Sequence, residues 1–150
     1  MVHSINLFHL QKEKPLREVD ECFDLMFDGH ATRVRVDYET VFAQYKIGHF
    51  FLVVLENDFW EGTNYLFYLL DEGFHVVDRI NLSATPEDNG FIQERRLKGN
   101  GLVFEKYKSG KRYELSIQAD GRVSYLLSEL KYRSCFDFMK PKKYLELREI

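Results

Sequence analysis

A chain of 150 residues with a formal net charge of −3 is the size of one domain. Its 45% hydrophobic and 15% aromatic content, with only three prolines and nine glycines, excludes a disordered or fibrous protein. The two cysteines, Cys22 and Cys135, cannot make a disulfide framework, and the start MVHSINLFHLQKEK has neither the basic opening nor the apolar run of a secretory signal.

In chain order, Ile5, Leu7 and His9 alternate with their neighbours and predict a short strand. Pro15 opens a helical pattern in which Leu16, Val19, Phe23 and Met26 recur at three- and four-residue spacing, and Asp28-Gly29 closes it; a helix over 15–27 is expected. Residues 33–36 alternate with period two, and 41–46 continue the sheet.

The stretch GHFFLVVLENDFWEGTNYLFYLL follows. Its apolar halves, 49–55 and 65–70, are strand-sized, and Glu56, Asn57, Asp58 and Glu61 between them exclude a membrane helix. They predict two buried strands joined by a polar hairpin loop. Asp71-Glu72-Gly73 then turns the chain into a strand over 74–82.

Thr85-Pro86-Glu87-Asp88 reads as a helix start, and Arg95, Arg96 and Lys98 before Gly99-Asn100-Gly101 as its end. Beyond it, Tyr113, Leu115, Ile117 and Ala119 alternate with polar residues. Asp120-Gly121 predicts a tight turn into Val123, Tyr125 and Leu127, and YLELREI a closing strand after the Lys140-Pro141-Lys142-Lys143 loop. The expected fold is one α+β domain over 1–150: a mainly antiparallel, curved sheet, in the manner of a meander or half-barrel, with one or two short helices.

Chemical motifs are sparse. The histidines His3, His9, His30, His49 and His75 form no HxH, HExxH or HxxxH pair, and no glycine-rich phosphate loop or GxSxG occurs. Cys22 and Cys135 lie beside apolar residues, as small buried thiols do. No metal, cofactor or catalytic residue is therefore expected, and a cytoplasmic protein with both thiols free is the default.

Charge is unevenly spread. Between Ile47 and Asp78 there are six acids and no Lys or Arg. Between Arg95 and Arg112 there are seven cations (Arg95, Arg96, Lys98, Lys106, Lys108, Lys111, Arg112) and one acid, Glu105. Tyr107 and Tyr113 interleave with these cations, a pattern that serves single-stranded nucleic acid, while a helix end and a hairpin rim would use the same cations structurally. In the acidic stretch, Phe59 and the only tryptophan, Trp60, sit among Glu56, Asp58 and Glu61. Either the rings fold back as a lid with the acids solvating the rim, or they form an anchor patch for a cationic partner, with Asp71 and Glu72 adding charge.

A small, net-acidic single domain carrying Glu56, Asp58, Phe59, Trp60, Glu61, Asp71 and Glu72 on such a surface resembles bacterial immunity proteins, the cognate inhibitors of toxins in contact-dependent-inhibition and bacteriocin systems. That resemblance implies a non-catalytic module that binds one basic toxin, such as a nuclease, and occludes its site. The nuclease-bacteriocin inhibitors are helical bundles, so the likeness is of character and transfers no residue by position. Two further readings stay open: a nucleic-acid binder using 95–112, and a small-ligand or enzymatic domain with a pocket inside a curved, aromatic-lined sheet.

Overall fold

The computed structural model describes residues 2–12, 22–123, 131–134 and 142–150. Among them the chain is built from twelve strands: β1 (Val2–Ser4), β2 (Phe8–Lys12), β3 (Phe23–Phe27), β4 (His30–Val36), β5 (Thr40–Ile47), β6 (Phe50–Phe59), β7 (Gly62–Leu70), β8 (Val76–Leu82), β9 (Ile92–Lys98), β10 (Gly101–Lys106), β11 (Arg112–Arg122) and β12 (Lys143–Glu149). They form three antiparallel sheets, in the orders β1-β5-β6-β7-β8, β12-β11-β10-β9 and β2-β3-β4. This is a mostly-β fold and not the expected α+β domain. Nor is it one curved sheet or half-barrel, since three open sheets share the strands.

The five-stranded sheet is the centre because its strands are apolar on both faces. In the β6–β7 pair, Leu52 lies opposite Leu69 and Val54 opposite Phe67, while Val53 lies opposite Tyr68 and Leu55 opposite Leu66. The first set packs with Phe104, Tyr113, Leu115 and Leu147 of the four-stranded sheet. The second packs with Phe8, Leu25 and Val36 of the three-stranded sheet. Successive strand residues point to opposite faces, so an unbroken apolar run is what burial on both sides requires. Gln44, buried in β5, accepts the N–H groups of Leu7 and Phe8 through Oε1 at 2.8 and 2.7 Å and donates to the Phe8 carbonyl, tying the small sheet to the large one.

Both expected helices are corrected. Of 15–27, residues 23–27 are β3, paired on both edges with β2 and β4, and 15–21 lie outside the described residues. Helical spacing there lost to two-sided strand pairing, in which Phe23, Leu25 and Phe27 face the second core. Over 85–98, Thr85 and Asp88 exchange backbone hydrogen bonds as a turn, and Ile92–Lys98 is an edge strand, β9. Asp120-Gly121 falls inside β11, where pairing with β12 shifts between Ile117 and Arg122. Cys135, Tyr125, Leu127 and Pro141 lie outside the described residues, and Cys22 is a half-buried free thiol. Among the described residues no helix is long and apolar enough to cross a membrane.

Candidate functional site

The acidic-aromatic segment is strand almost to its end. Asp58 faces Thr63 and Phe59 faces Gly62, so the expected loop shrinks to a two-residue turn, Trp60-Glu61. Three contacts stiffen this tip. Thr63 Oγ1 donates to Asp58 Oδ1 at 2.7 Å. Asn57 grips the 37–39 turn, accepting the Glu39 N–H at 2.7 Å and donating to the Asp37 carbonyl at 3.1 Å. Thr63 N–H donates to the Asn89 carbonyl at 3.1 Å. Gly62, at φ +149°, is needed for this last approach, because a Cβ there would lie 2.7 Å from both Ala84 Cβ and the Asn89 oxygen.

A two-residue turn has no slack to fold back, and the rings stay outside. Trp60 is 95% exposed and Phe59 54%. With Glu61, Thr85, Pro86 and Asn89 they line an open cleft of about 650 Å³ between the tip and the 83–89 loop.

The other predicted acids are not all here. Glu56 is half-buried opposite Tyr65 in the β6–β7 pair, and the Tyr65 hydroxyl accepts the Ile92 N–H at 2.8 Å. Burial first, and then Glu56, push the Tyr65 hydroxyl far above its ordinary range. Asp71 and Glu72 lie at the opposite end of the β6–β7 pair, roughly 27 Å away at a strand rise of about 3.4 Å per residue. There Asp71 Oδ1 accepts the Gly73 and His75 N–H groups, both at 2.9 Å. Glu72 pairs with Lys46 at 2.9 Å, which holds its carboxyl below the usual range. Of the predicted residues, Asp58, Phe59, Trp60 and Glu61 are the ones at the tip.

The fold adds residues that sequence reasoning missed. Strand register puts the 83–91 loop and the 107–111 turn at the same end as Trp60, since Tyr65 pairs with Leu82 and Lys106 with Ile92. Phe91 and Tyr107 stack there at 4.8 Å between centroids and remain 47% and 45% exposed. Tyr107 N–H donates to the Phe91 carbonyl at 2.7 Å. Only glycine fits at 90, where a Cβ would sit 2.0 Å from the Tyr107 oxygen. A signal existed in Gly90-Phe91, an aromatic set behind a glycine in a polar loop, but the helix reading of 85–98 hid it.

Asp88 fixes the 107–111 turn that carries Tyr107. Its carboxylate accepts Ser109 Oγ at 2.9 Å and the Tyr113 hydroxyl, and Lys106 Nζ lies 3.5 Å away while donating to the Asp88 carbonyl at 3.0 Å. Lys106 is 0% exposed. Burial pushes its amine below the ordinary range, and Asp88 pulls it back.

The seven cations of 95–112 thus spread across the fold. Lys106 is internal, and the Arg95 guanidinium lies 4.6 Å over the Phe42 ring. Lys98 pairs with Glu114 at 3.1 Å, Lys111 with Glu149 at 4.0 Å and Arg112 with Glu105 at 3.9 Å. Arg96 lies on the edge strand β9, and Lys108 holds a turn position at φ +70°.

Among the described residues, no group of three or more His, Cys, Asp or Glu is placed to hold a metal ion. Between the two large sheets the space is filled by rings, Phe67 on Phe104 at 5.6 Å and Phe104 on Tyr113 at 5.2 Å. A larger groove of about 780 Å³ lies outside that core, along 31–35 and 73–79. Compared with family models, with curated proteins and with solved structures, the chain matches none.

Proposed function

We propose that this chain is a non-catalytic protein-binding module, an inhibitor in the manner of immunity proteins, acting in the cytoplasm on a basic partner such as a nuclease toxin. The observation that carries the reading is Trp60, 95% exposed on a braced two-residue turn. An indole is the largest apolar side chain, and leaving it in water forgoes roughly 1.5–3 kcal/mol of burial. A ring so placed gains that energy when a partner covers it, and its rigid mount keeps the entropic cost of docking low. Asp58 and Glu61 beside it favour a cationic surface and speed encounter. Phe59, and further along the same end Phe91 and Tyr107, widen the apolar contact. The partner's site is blocked by cover, with no chemistry by this chain.

The test compares wild type with a Trp60→Ala, Asp58→Ala variant in capture from host extract, followed by binding of the purified captured protein. The variant should stay folded, its unfolding temperature lowered only by the few degrees that loss of the Asp58–Thr63 hydrogen bond accounts for, yet bind at least about 30-fold more weakly, the loss typical of an interface hot spot. Equal affinity of the two forms, or capture of nothing by wild type, overturns the reading.

A further inference from the structure

Resting on the protein-binding reading, the cleft beside Trp60 says which side chain of the partner enters it. The hairpin side of the cleft carries Phe59, Trp60 and Glu61, and the loop side carries Thr85, Pro86 and Asn89; among the described residues no Lys or Arg lines it. Asp58 flanks the hairpin side and Glu87 follows Pro86, both exposed. Among the described residues, no cation is paired with Asp58, Glu61 or Glu87. At about 650 Å³ the space exceeds what one side chain fills, so it also admits the backbone on either side.

We propose that this cleft takes an arginine of the partner, the guanidinium stacked on the Trp60 ring and forked toward Glu61. Three chemistries compete for a slot of rings rimmed by acids. A guanidinium is planar and weakly hydrated, so it covers an indole face while its N–H groups reach carboxylates at the edge. An ammonium satisfies the acids, but it is compact and strongly hydrated and uses little of the ring. A neutral sugar uses the ring and gains nothing from the negative rim, and a phosphate backbone is repelled by it. Arginine alone uses both features.

Because the chain has a single tryptophan, its emission reports on this cleft and on nothing else. The probes are hexa-arginine, hexa-lysine and hexa-citrulline, the last keeping arginine's shape without its charge, with a neutral oligosaccharide as a fourth arm. Hexa-arginine should change the emission saturably and bind about tenfold more tightly than hexa-lysine, given the stacking that lysine lacks. Hexa-citrulline and the sugar should leave it unchanged. Glu61→Gln with Glu87→Gln should weaken hexa-arginine about tenfold with an unchanged unfolding temperature.

Equal binding of the arginine and lysine peptides, or a saturable response to citrulline or sugar, overturns the proposal. If the captured partner still depends on Trp60 while hexa-arginine gives no response, the arginine clamp fails and the protein-binding reading stands. If neither responds, both fail.

Discussion

At the scale of single residues, Tyr113 and Lys106 show how far a sequence can mislead about a polar group. Alternation placed Tyr113 on the inner face of β11, which is where it lies, but its interleaving with cations suggested a stacking surface. Instead its hydroxyl meets Asp88 in a site closed to water, and Lys106, which read as a rim cation, is its buried neighbour. Nothing local marks this, because Asp88 comes from a loop separated from β10 by the whole of β9. The hub carries a charge, so its hydrogen bonds are the stronger kind. Tyr113→Phe deletes one donor while Ser109 and Lys106 remain, and should cost roughly 1–3 kcal/mol by urea unfolding. A change under about 0.5 kcal/mol would mean that the carboxylate is as well satisfied without the hydroxyl as with it. Trp60 is the opposite case. The sequence flagged it, yet could not choose between lid and surface, because the choice depended on how far the strands pair toward the turn.

At the scale of elements, β6 and β7 were the most legible, since their unbroken apolar runs state burial on two faces. β9 was the least. Gln93, Glu94, Arg95, Arg96, Leu97 and Lys98 are all good helix formers, and they form an edge strand whose outer side is wet. Charges on an unpaired edge discourage a second chain from adding to it, so the same composition serves a strand's needs there. Between the sheets, β8 and β12 are joined through one carboxylate, invisible in sequence because its partners across the interface lie more than fifty residues away. Asp78, on the inner face of β8, accepts the N–H groups of Tyr144 and Leu145 at 2.7 and 2.8 Å. It also receives both terminal nitrogens of Arg133, whose Nη2 continues to the Leu145 carbonyl at 2.7 Å. Both side chains are buried. Asp78→Asn takes the negative charge away from the Arg133 guanidinium and from the two β12 N–H groups and should cost roughly 3–5 kcal/mol by urea unfolding. Adding Arg133→Met takes the buried guanidinium out of the same site and should recover part of the loss; a double variant no more stable than the single one would show that the carboxylate acts through the β12 N–H groups and not through arginine.

At the scale of the whole molecule, antiparallel pairing was readable, and the division into three sheets was not. Which face of a strand meets which sheet depends on pairings across the entire chain, and tyrosine is where this architecture meets pH. Tyr38 belongs to the core under the small sheet, Tyr65 and Tyr113 to the core under the four-stranded one. Burial is the first cause in each case, pushing Tyr38 up to about 12 with Asp37 adding to it, and Tyr65 and Tyr113 further with Glu56 and Asp88 beside them. In the unfolded chain a tyrosine loses its proton near pH 10. Above that point the folded state therefore holds more protons than the unfolded one, and stability must fall as pH rises. Below pH 10 both states keep these protons and the contribution is fully present; it is lost as pH climbs through the folded values. Lys106 works the other way, since its amine is depressed by burial and the charged form it disfavours disappears as pH rises toward 10.5. One amine is outweighed by three phenols from both cores. The urea midpoint should hold up to about pH 10 and then drop steeply. Absorbance of tyrosinate should rise in two stages, the exposed rings first and the buried ones only together with loss of the β-sheet circular dichroism signal. If all nine tyrosines ionised in one step near pH 10 while the sheets stayed intact, phenols assigned to two closed cores would have to be in water, and the layered packing would be wrong at both interfaces.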